Sequence, residues 1–149
     1  MHRLVGLIVV AASLLAEAVL ADFAAVPLDQ LVKDAVVIVE GKVAKIEDAG
    51  FARGPRKFDT AVVEVKAVLK GDPKLKEVRI AQPAAGGLAL SSDIRFKVGQ
   101  EGFWLLKMEK GAKGKEADVY WALHPSQFQP LTERDKVTKT VKDAAQPKK

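Results

Sequence analysis

Cysteine is absent from this chain of 149 residues. Its absence excludes a disulfide framework and a lipid-modified bacterial N-terminus. Histidine is scarce as well, because His2 and His124 are the two that the sequence contains. A structural zinc site is therefore excluded, and a catalytic one would need an unusual shell of carboxylates. We expect a fold held together by its hydrophobic core, with no metal and no cofactor.

The longest apolar run lies at the start of the chain. A short basic start, His2-Arg3, precedes the apolar stretch Leu4 to Leu15, which has the length and flanks of a signal peptide. Small residues favour cleavage after Ala21, with cleavage after Ala18 as the alternative. The run is shorter than the roughly 20 residues of a spanning helix, so we expect no transmembrane anchor after cleavage. An uncleaved anchor is the alternative.

The predicted signal peptide implies that the chain acts outside the cytoplasm, as a secreted or periplasmic protein. The lack of cysteine favours a bacterial envelope over an animal extracellular space, where small domains are usually stapled by disulfides. The predicted signal carries one charge of each sign, Arg3 and Glu17, so the mature chain keeps the formal net charge of +5. That excess is compatible with an anionic partner and also with plain solubility.

Hydrophobic periodicity predicts β-structure. The second predicted strand is the clearest, because Ala61, Val63, Val65, Ala67 and Leu69 alternate with polar residues and form one apolar face. The five strands that we predict span residues 35–48, 58–70, 77–82, 101–109 and 118–124.

Single positions refine this pattern. Gly41 within the first strand predicts a bulge or a sharp bend. In the fifth strand, the alternation places Val119, Trp121 and Leu123 on one side.

Helix is predicted at both ends of the mature chain. Residues 28–33 have the pattern of one helical turn. Beyond Pro130, residues 133–149 predict a short helix, docked by Val137 and Val141 and followed by a basic tail.

Five strands with little helix favour a small OB-like antiparallel barrel with a short C-terminal helix, since closure removes exposed strand edges. A β-sandwich is the alternative. The predicted organisation is a signal peptide at 1–21, one barrel domain at 22–132 and the helix with its tail at 133–149. We expect a monomer.

Four short motifs are similar to those of a known family: Gly41-Lys42-Val43, Lys70-Gly71, Val78-Arg79-Ile80 and Phe96-Lys97-Val98-Gly99. With their surroundings, they resemble the netrin-like OB barrel of tissue inhibitors of metalloproteinases, and of cysteine-free exported bacterial relatives. The resemblance covers about residues 33–131 and implies a fold, which by itself assigns no function. Those inhibitors bind the catalytic zinc of their target through an N-terminal cysteine. This chain has none, so that mechanism is not implied.

No catalytic constellation emerges, and we predict that the chain is not an enzyme. Ser91, Ser92, Asp93 and His124 contain the atoms of a nucleophilic triad, but no strand-turn-helix elbow surrounds the serines. Residues 111–115 are rich in glycine and lysine, yet they join two predicted strands and lack the length of a phosphate loop.

Basic loops are the first candidate binding surface. The predicted ten-residue loop after the first strand, residues 48–57, carries Phe51, Arg53, Arg56 and Lys57. The connection between the fourth and fifth strands carries three more cations, namely Lys110, Lys113 and Lys115. Both connections flank the ligand face of an OB barrel, where charge attracts a polyanion and an aromatic contact holds it. Export makes intracellular nucleic acid an unsuitable partner and favours an anionic envelope polymer. A simply solvated pair of loops is the alternative.

The second candidate surface is residues 83–93, in which Leu88 and Leu90 follow a pair of glycines. Such a loop can insert into a partner, or it can fold over the open end of a barrel and bury both leucines. Together these features predict an exported, non-enzymatic module that binds an unidentified protein or an anionic polymer. The alternatives are a secreted enzyme inhibitor or hydrolase that uses carboxylates and hydroxyls, and a structural accessory domain.

Overall fold

The computed structural model describes residues 24–88, 90 and 93–146. The predicted signal peptide with both cleavage sites lies outside the described residues, as do Ser91, Ser92 and the last residues of the basic tail. Among the helices of the described ranges, none is both long enough and apolar enough to cross a bilayer.

The fold is mostly β, as the periodicity predicts, with a short helix at each end of the described chain. Two helices and six strands follow one another: α1 Leu28–Asp34, β1 Val37–Arg53, β2 Arg56–Lys70, β3 Glu77–Pro83, β4 Glu101–Leu106, β5 Tyr120–Trp121, β6 Phe128–Pro130 and α2 Arg134–Ala145. Three short 3-10 turns lie at Gly114–Asp118, Pro125–Gln127 and Leu131–Glu133.

The strands form one mixed six-stranded sheet in the order β5-β3-β2-β1-β4-β6. It differs from the predicted closed barrel of five antiparallel strands, because β6 is added beside β4 and because β3 and β5 run parallel. Two backbone hydrogen bonds also join the segment after β4 to β5: the Lys107 N–H donates to the Trp121 carbonyl at 3.0 Å and the Trp121 N–H donates to the Lys107 carbonyl at 2.8 Å.

The hairpin of β1 and β2 corrects the first predicted loop. Pairing continues to Arg53↔Arg56, so only Gly54 and Pro55 remain as a turn, and Gly54 adopts a φ of 58°. The ten-residue loop predicted at 48–57 is therefore wrong. Its residues extend the two strands instead.

The bulge predicted at Gly41 is confirmed by a register shift between Glu40 and Gly41. A Cβ at Gly41 would lie 2.3 Å from the carbonyl oxygen of Glu64, so only glycine allows this close approach. The shift also changes which β2 residues face the core. Ala61 and Val63 are fully buried as predicted and belong to the main hydrophobic cluster of the sheet, together with Val39, Ile80 and Trp104. Beyond the bulge, Val68 packs against this cluster and Ala67 is exposed.

The helices cover a second hydrophobic cluster, which comprises Leu31, Val32, Ala35, Ile38 and Leu105. Val141 of α2 packs against this cluster and Val137 is fully buried, so the predicted docking of the C-terminal helix is confirmed.

The fifth strand is shorter than predicted, and the side chain of Gln127 explains why. Its Oε1 accepts hydrogen bonds from the backbone N–H groups of Leu123 and His124 at 2.7 and 2.9 Å. Its Nε2 donates to the carbonyl oxygen of Leu105 at 2.8 Å. A side chain thus satisfies backbone groups that strand pairing would otherwise serve, and β5 ends at Trp121.

Candidate functional site

A cleft of about 210 Å³ lies beside Trp121, between the ends of β2, β3 and β5. It unites two surfaces that the sequence predicted separately, because Arg53 and Arg56 come from the β1–β2 hairpin and Leu90 from the 83–93 segment. Asp93 and Leu123 also line it.

Aromatic rings form one side of this cleft. Phe58 and Trp121 are 4% and 5% exposed and meet edge to face, with ring centres 5.3 Å apart. Phe51 stacks on Phe58 with ring centres 5.3 Å apart and is half-buried. Phe51, predicted as an aromatic contact for a ligand, therefore contributes to packing inside the hairpin.

Arg53 is fixed by three groups at once. Its Cζ lies 4.2 Å from the centre of the Trp121 ring, in cation–π geometry. Its Nε donates to Glu116 and its Nη2 donates to Glu109. Desolvation acts to lower the pKa of Arg53, but the hydrogen bonds to Glu116 and then Glu109 outweigh it and raise the pKa above its usual value.

Arg56 is paired as well. Its Nη2 donates to both carboxylate oxygens of Asp93 at 2.6 and 2.7 Å, and its Cζ lies 5.3 Å from the centre of the Phe58 ring. Asp93 also accepts a hydrogen bond from the backbone N–H of Leu90 at 2.6 Å. The pair therefore ties the Leu90 region to the hairpin.

These ion pairs change the electrostatic character of the arginines. Glu109, Glu116 and Asp93 supply three carboxylates to two guanidinium groups. The net positive charge around the cleft is consequently smaller than the sequence alone predicts for these positions.

The predicted lysines behave differently. Lys57, Lys110, Lys113 and Lys115 are all exposed, and within the described residues none of them forms an ion pair with a carboxylate. Lys115 lies across Gly50 of β1, where an added Cβ would come 2.4 Å from its Nζ. The two basic connections are thus neighbours in the fold.

The leucines of the 83–93 segment point away from the core. Leu88 is 57% exposed and Leu90 is 53% exposed, so the alternative in which the segment buries both is wrong. Leu123 is 63% exposed, although its alternation with the buried Val119 and Trp121 predicts an inward position. The early end of β5 reverses that expectation, and Leu123 is an exposed cleft residue that sequence reasoning missed, as it missed the buried Phe58 and Trp121.

His124 is part of a turn. Its Nδ1 accepts a hydrogen bond from the backbone N–H of Ser126 at 3.1 Å, and its Nε2 lies 3.2 Å from the carbonyl oxygen of Ala24. In the part of the chain that the structure describes, no group of three or more histidine, aspartate or glutamate side chains is placed to hold a metal ion. Asp93, the other described member of the triad considered above, is engaged with Arg56.

Comparison of the sequence with models of protein families gave no match, and a search of curated proteins gave none either.

Proposed function

We propose that this chain is an exported, non-enzymatic binding module that takes a polypeptide segment of its partner in the cleft beside Trp121. The observation that carries the proposal is the exposure of Leu90 and Leu123, at 53% and 63%, on the rim of one cleft. Apolar side chains that remain in solvent around a concave site are typical of interaction surfaces.

The charges of the cleft favour a polypeptide over a polyanion. Arg53 and Arg56 are matched by carboxylates, so a uniformly anionic polymer would meet Glu109, Glu116 and Asp93 as well. A peptide segment offers apolar side chains for the leucines and carbonyl oxygens for the remaining guanidinium N–H donors. Arginine and tryptophan are also the residue types that contribute most to protein interfaces.

The scaffold that we propose for this module is an OB-like barrel of the netrin type, partly open and extended by β6. The two backbone hydrogen bonds between Lys107 and Trp121 support it, because they bring the β4 side of the sheet to β5 at the opposite end of the strand order. OB folds are themselves partly open and bind their ligands through loops beside the sheet.

Photo-crosslinking tests the polypeptide proposal. With p-benzoylphenylalanine at the position of Leu123, we expect a covalent adduct to one partner peptide in envelope extract, identified by mass spectrometry. The matched control places the same amino acid at Val98, which is also 63% exposed but does not line the cleft. The same adduct from both positions, or none from the Leu123 position, would contradict the proposal.

A second candidate function is binding of an anionic envelope polymer by the lysines of the two basic connections. The observation that favours it is the exposure of four lysines without a carboxylate partner among the described residues: Lys57, Lys110, Lys113 and Lys115. Changing all four to glutamine should lower the salt concentration that elutes the protein from an anionic polysaccharide column. The control changes four other exposed lysines that form no ion pair among the described residues, namely Lys74, Lys76, Lys97 and Lys142, to glutamine. An equal shift in both variants would reject a specific site.

A further inference from the structure

A second groove, of about 300 Å³, lies between α1, α2 and the end of β2. Its apolar wall consists of Val32, Leu69, Val141, Ala144 and Ala145. Val32 is 1% exposed and belongs to the hydrophobic cluster beneath the helices, against which Leu69 and Val141 pack. The groove therefore opens onto the edge of an established core.

Among the described residues, the two charged side chains that line this groove are both cations, Lys33 and Lys70. The Lys70 ammonium donates to the backbone carbonyl oxygens of Val32 at 2.8 Å and Lys33 at 3.1 Å, which fixes it beside the C-terminal end of α1. An ammonium has three N–H donors, so one remains for a further acceptor. Lys33 pairs with Asp29 at 3.4 Å on the exposed surface of α1, where such pairs contribute little.

We propose that this groove binds one soluble anionic amphiphile of the fatty-acid class. The hydrocarbon chain packs along Leu69, Val141 and Ala144, and the carboxylate accepts hydrogen bonds from Lys70 and Lys33. The apolar wall disfavours small, strongly hydrated anions, and the two cations favour a carboxylate over a neutral alcohol. The volume lies at the lower end of the range of about 300–1,000 Å³ for ligand pockets, so the occupant is a single chain of medium length, such as that of decanoate.

Displacement of a fluorescent probe tests this site. Undecanoic acid carrying a dansyl group brightens when it leaves water for an apolar site, and decanoate added to the complex should displace it. Decanol, which has the same chain length without the charge, should displace it about threefold to fivefold less well, because one partly exposed ion pair contributes on the order of 1 kcal/mol. Equal displacement by both compounds would overturn the assignment of a carboxylate to the two lysines.

Variants locate the probe in the groove. Ala144 is exposed in the last turn of α2, so Ala144→Trp should fill the groove without disturbing the core and should abolish the fluorescence gain. Lys33→Gln should weaken decanoate binding about threefold to fivefold. Lys142→Gln carries the same loss of charge on α2 but does not line the groove, so its affinity should equal that of the unmodified chain.

Circular-dichroism melting of each variant separates loss of binding from loss of folding. Unchanged probe fluorescence in a folded Ala144→Trp variant, or equal weakening by Lys33→Gln and Lys142→Gln, would overturn the proposal. Vesicles of phosphatidylglycerol distinguish the free amphiphile from a membrane surface. If the free amphiphile is the ligand, the unmodified chain and Ala144→Trp should sediment with these vesicles to the same extent. Sedimentation that is lost in a folded Ala144→Trp variant would assign the groove to a membrane surface and overturn the proposal.

Discussion

The guanidinium carbon of Arg53 lies 4.2 Å from the centre of the Trp121 ring. The same guanidinium is held by Glu109 and Glu116, which precede β5 in the chain. One side chain thus connects the end of β1 to β5 and to the segment before it. Removal of this side chain should therefore lower the free energy of unfolding of the protein.

Substitution of Arg53 tests that connection. Arg53→Gln should lower the free energy of unfolding by about 1–2 kcal/mol, because it removes a cation–π contact and leaves two neighbouring carboxylates without their shared cation. Arg53→Lys should recover part of the loss, since it keeps the charge but loses the planar hydrogen-bond geometry. Urea unfolding measures both values. Arg95→Gln is the control, because Arg95 is exposed and bonds only to the carbonyl oxygen of Ala84 in the described chain; an equal loss in the control would reject the interpretation.

The ion pair of Glu40 and Arg134 should fasten α2 to β1. Nη1 and Nη2 of Arg134 donate to the two carboxylate oxygens of Glu40 at 2.6 and 2.7 Å, and Glu40 is 8% exposed. Arg134→Met leaves a buried carboxylate without its partner and should destabilise the protein several times more than Asp143→Asn, which breaks an exposed pair on the same helix.

A double variant distinguishes two causes of this destabilisation: the burial of an unpaired Glu40 carboxylate and the loss of packing by the Arg134 side chain. Adding Glu40→Gln to Arg134→Met should restore part of the stability, because a neutral amide is less costly to bury than a carboxylate. Chemical denaturation at neutral pH measures all three variants. A double variant no more stable than Arg134→Met alone would show that the carboxylate is not the cause.

The lowered pKa values of two glutamates, Glu47 and Glu101, predict how the stability of the protein depends on pH. The hydrogen bond from Lys66, with additional attraction from Lys42, holds the pKa of Glu101 below its usual 4.5. Hydrogen bonds from Lys45 and then Arg79 likewise hold the pKa of Glu47 below 4.5. A carboxyl whose pKa is lower in the folded state contributes stability above its unfolded pKa and loses it as the pH falls through the folded value.

The melting temperature should therefore fall as the pH decreases below about 4.5, the range in which carboxylates titrate. Part of that fall should disappear in the Glu47→Gln, Glu101→Gln double variant, whose amides do not titrate. Melting curves between about pH 6 and pH 2 follow both proteins through this range. Parallel curves over the whole range would contradict the assignment to these two groups.

β1 and β2 approach each other so closely at Gly41 that one added methyl group should destabilise the fold. In Gly41→Ala the new Cβ would lie 2.3 Å from the Glu64 carbonyl oxygen and 2.7 Å from Cγ1 of Val63, so β1 and β2 must separate. We expect a loss of about 1–3 kcal/mol, as for overpacking elsewhere in protein cores. Gly87→Ala, in an exposed segment, should change stability by less than about 0.5 kcal/mol. Similar melting temperatures for the two variants would refute the steric argument.

Local pattern predicted the central strands well, because alternation reflects burial on the two faces of a strand. It failed where the fold depends on distant residues. Gly54 and Pro55 mark a turn, but they do not show that the pairing of β1 and β2 continues up to it. The carboxylates that hold Arg53 are distant in sequence, at Glu109 and Glu116. The sequence therefore indicated the basic composition of this region but not its neutralisation.

The end of β5 has the same kind of cause. Val119 and Trp121 are buried as their alternation predicts, whereas Leu123 is exposed because Gln127 binds the backbone at Leu123 and His124. An internal glutamine that caps a strand leaves no hydrophobic signature. Leu123 became a candidate binding residue only when the path of the chain was known.

The two-residue turn at Gly54 and Pro55 also bears on the kinetics of recognition. Because Arg53 and Arg56 are paired across the ends of two long strands, their positions are set before a partner arrives. A ligand of this cleft would not have to order a ten-residue loop, and it would avoid the conformational entropy that such ordering costs. We then expect association to resemble rigid-body docking. Differences in affinity among partners should arise mainly from their dissociation rates.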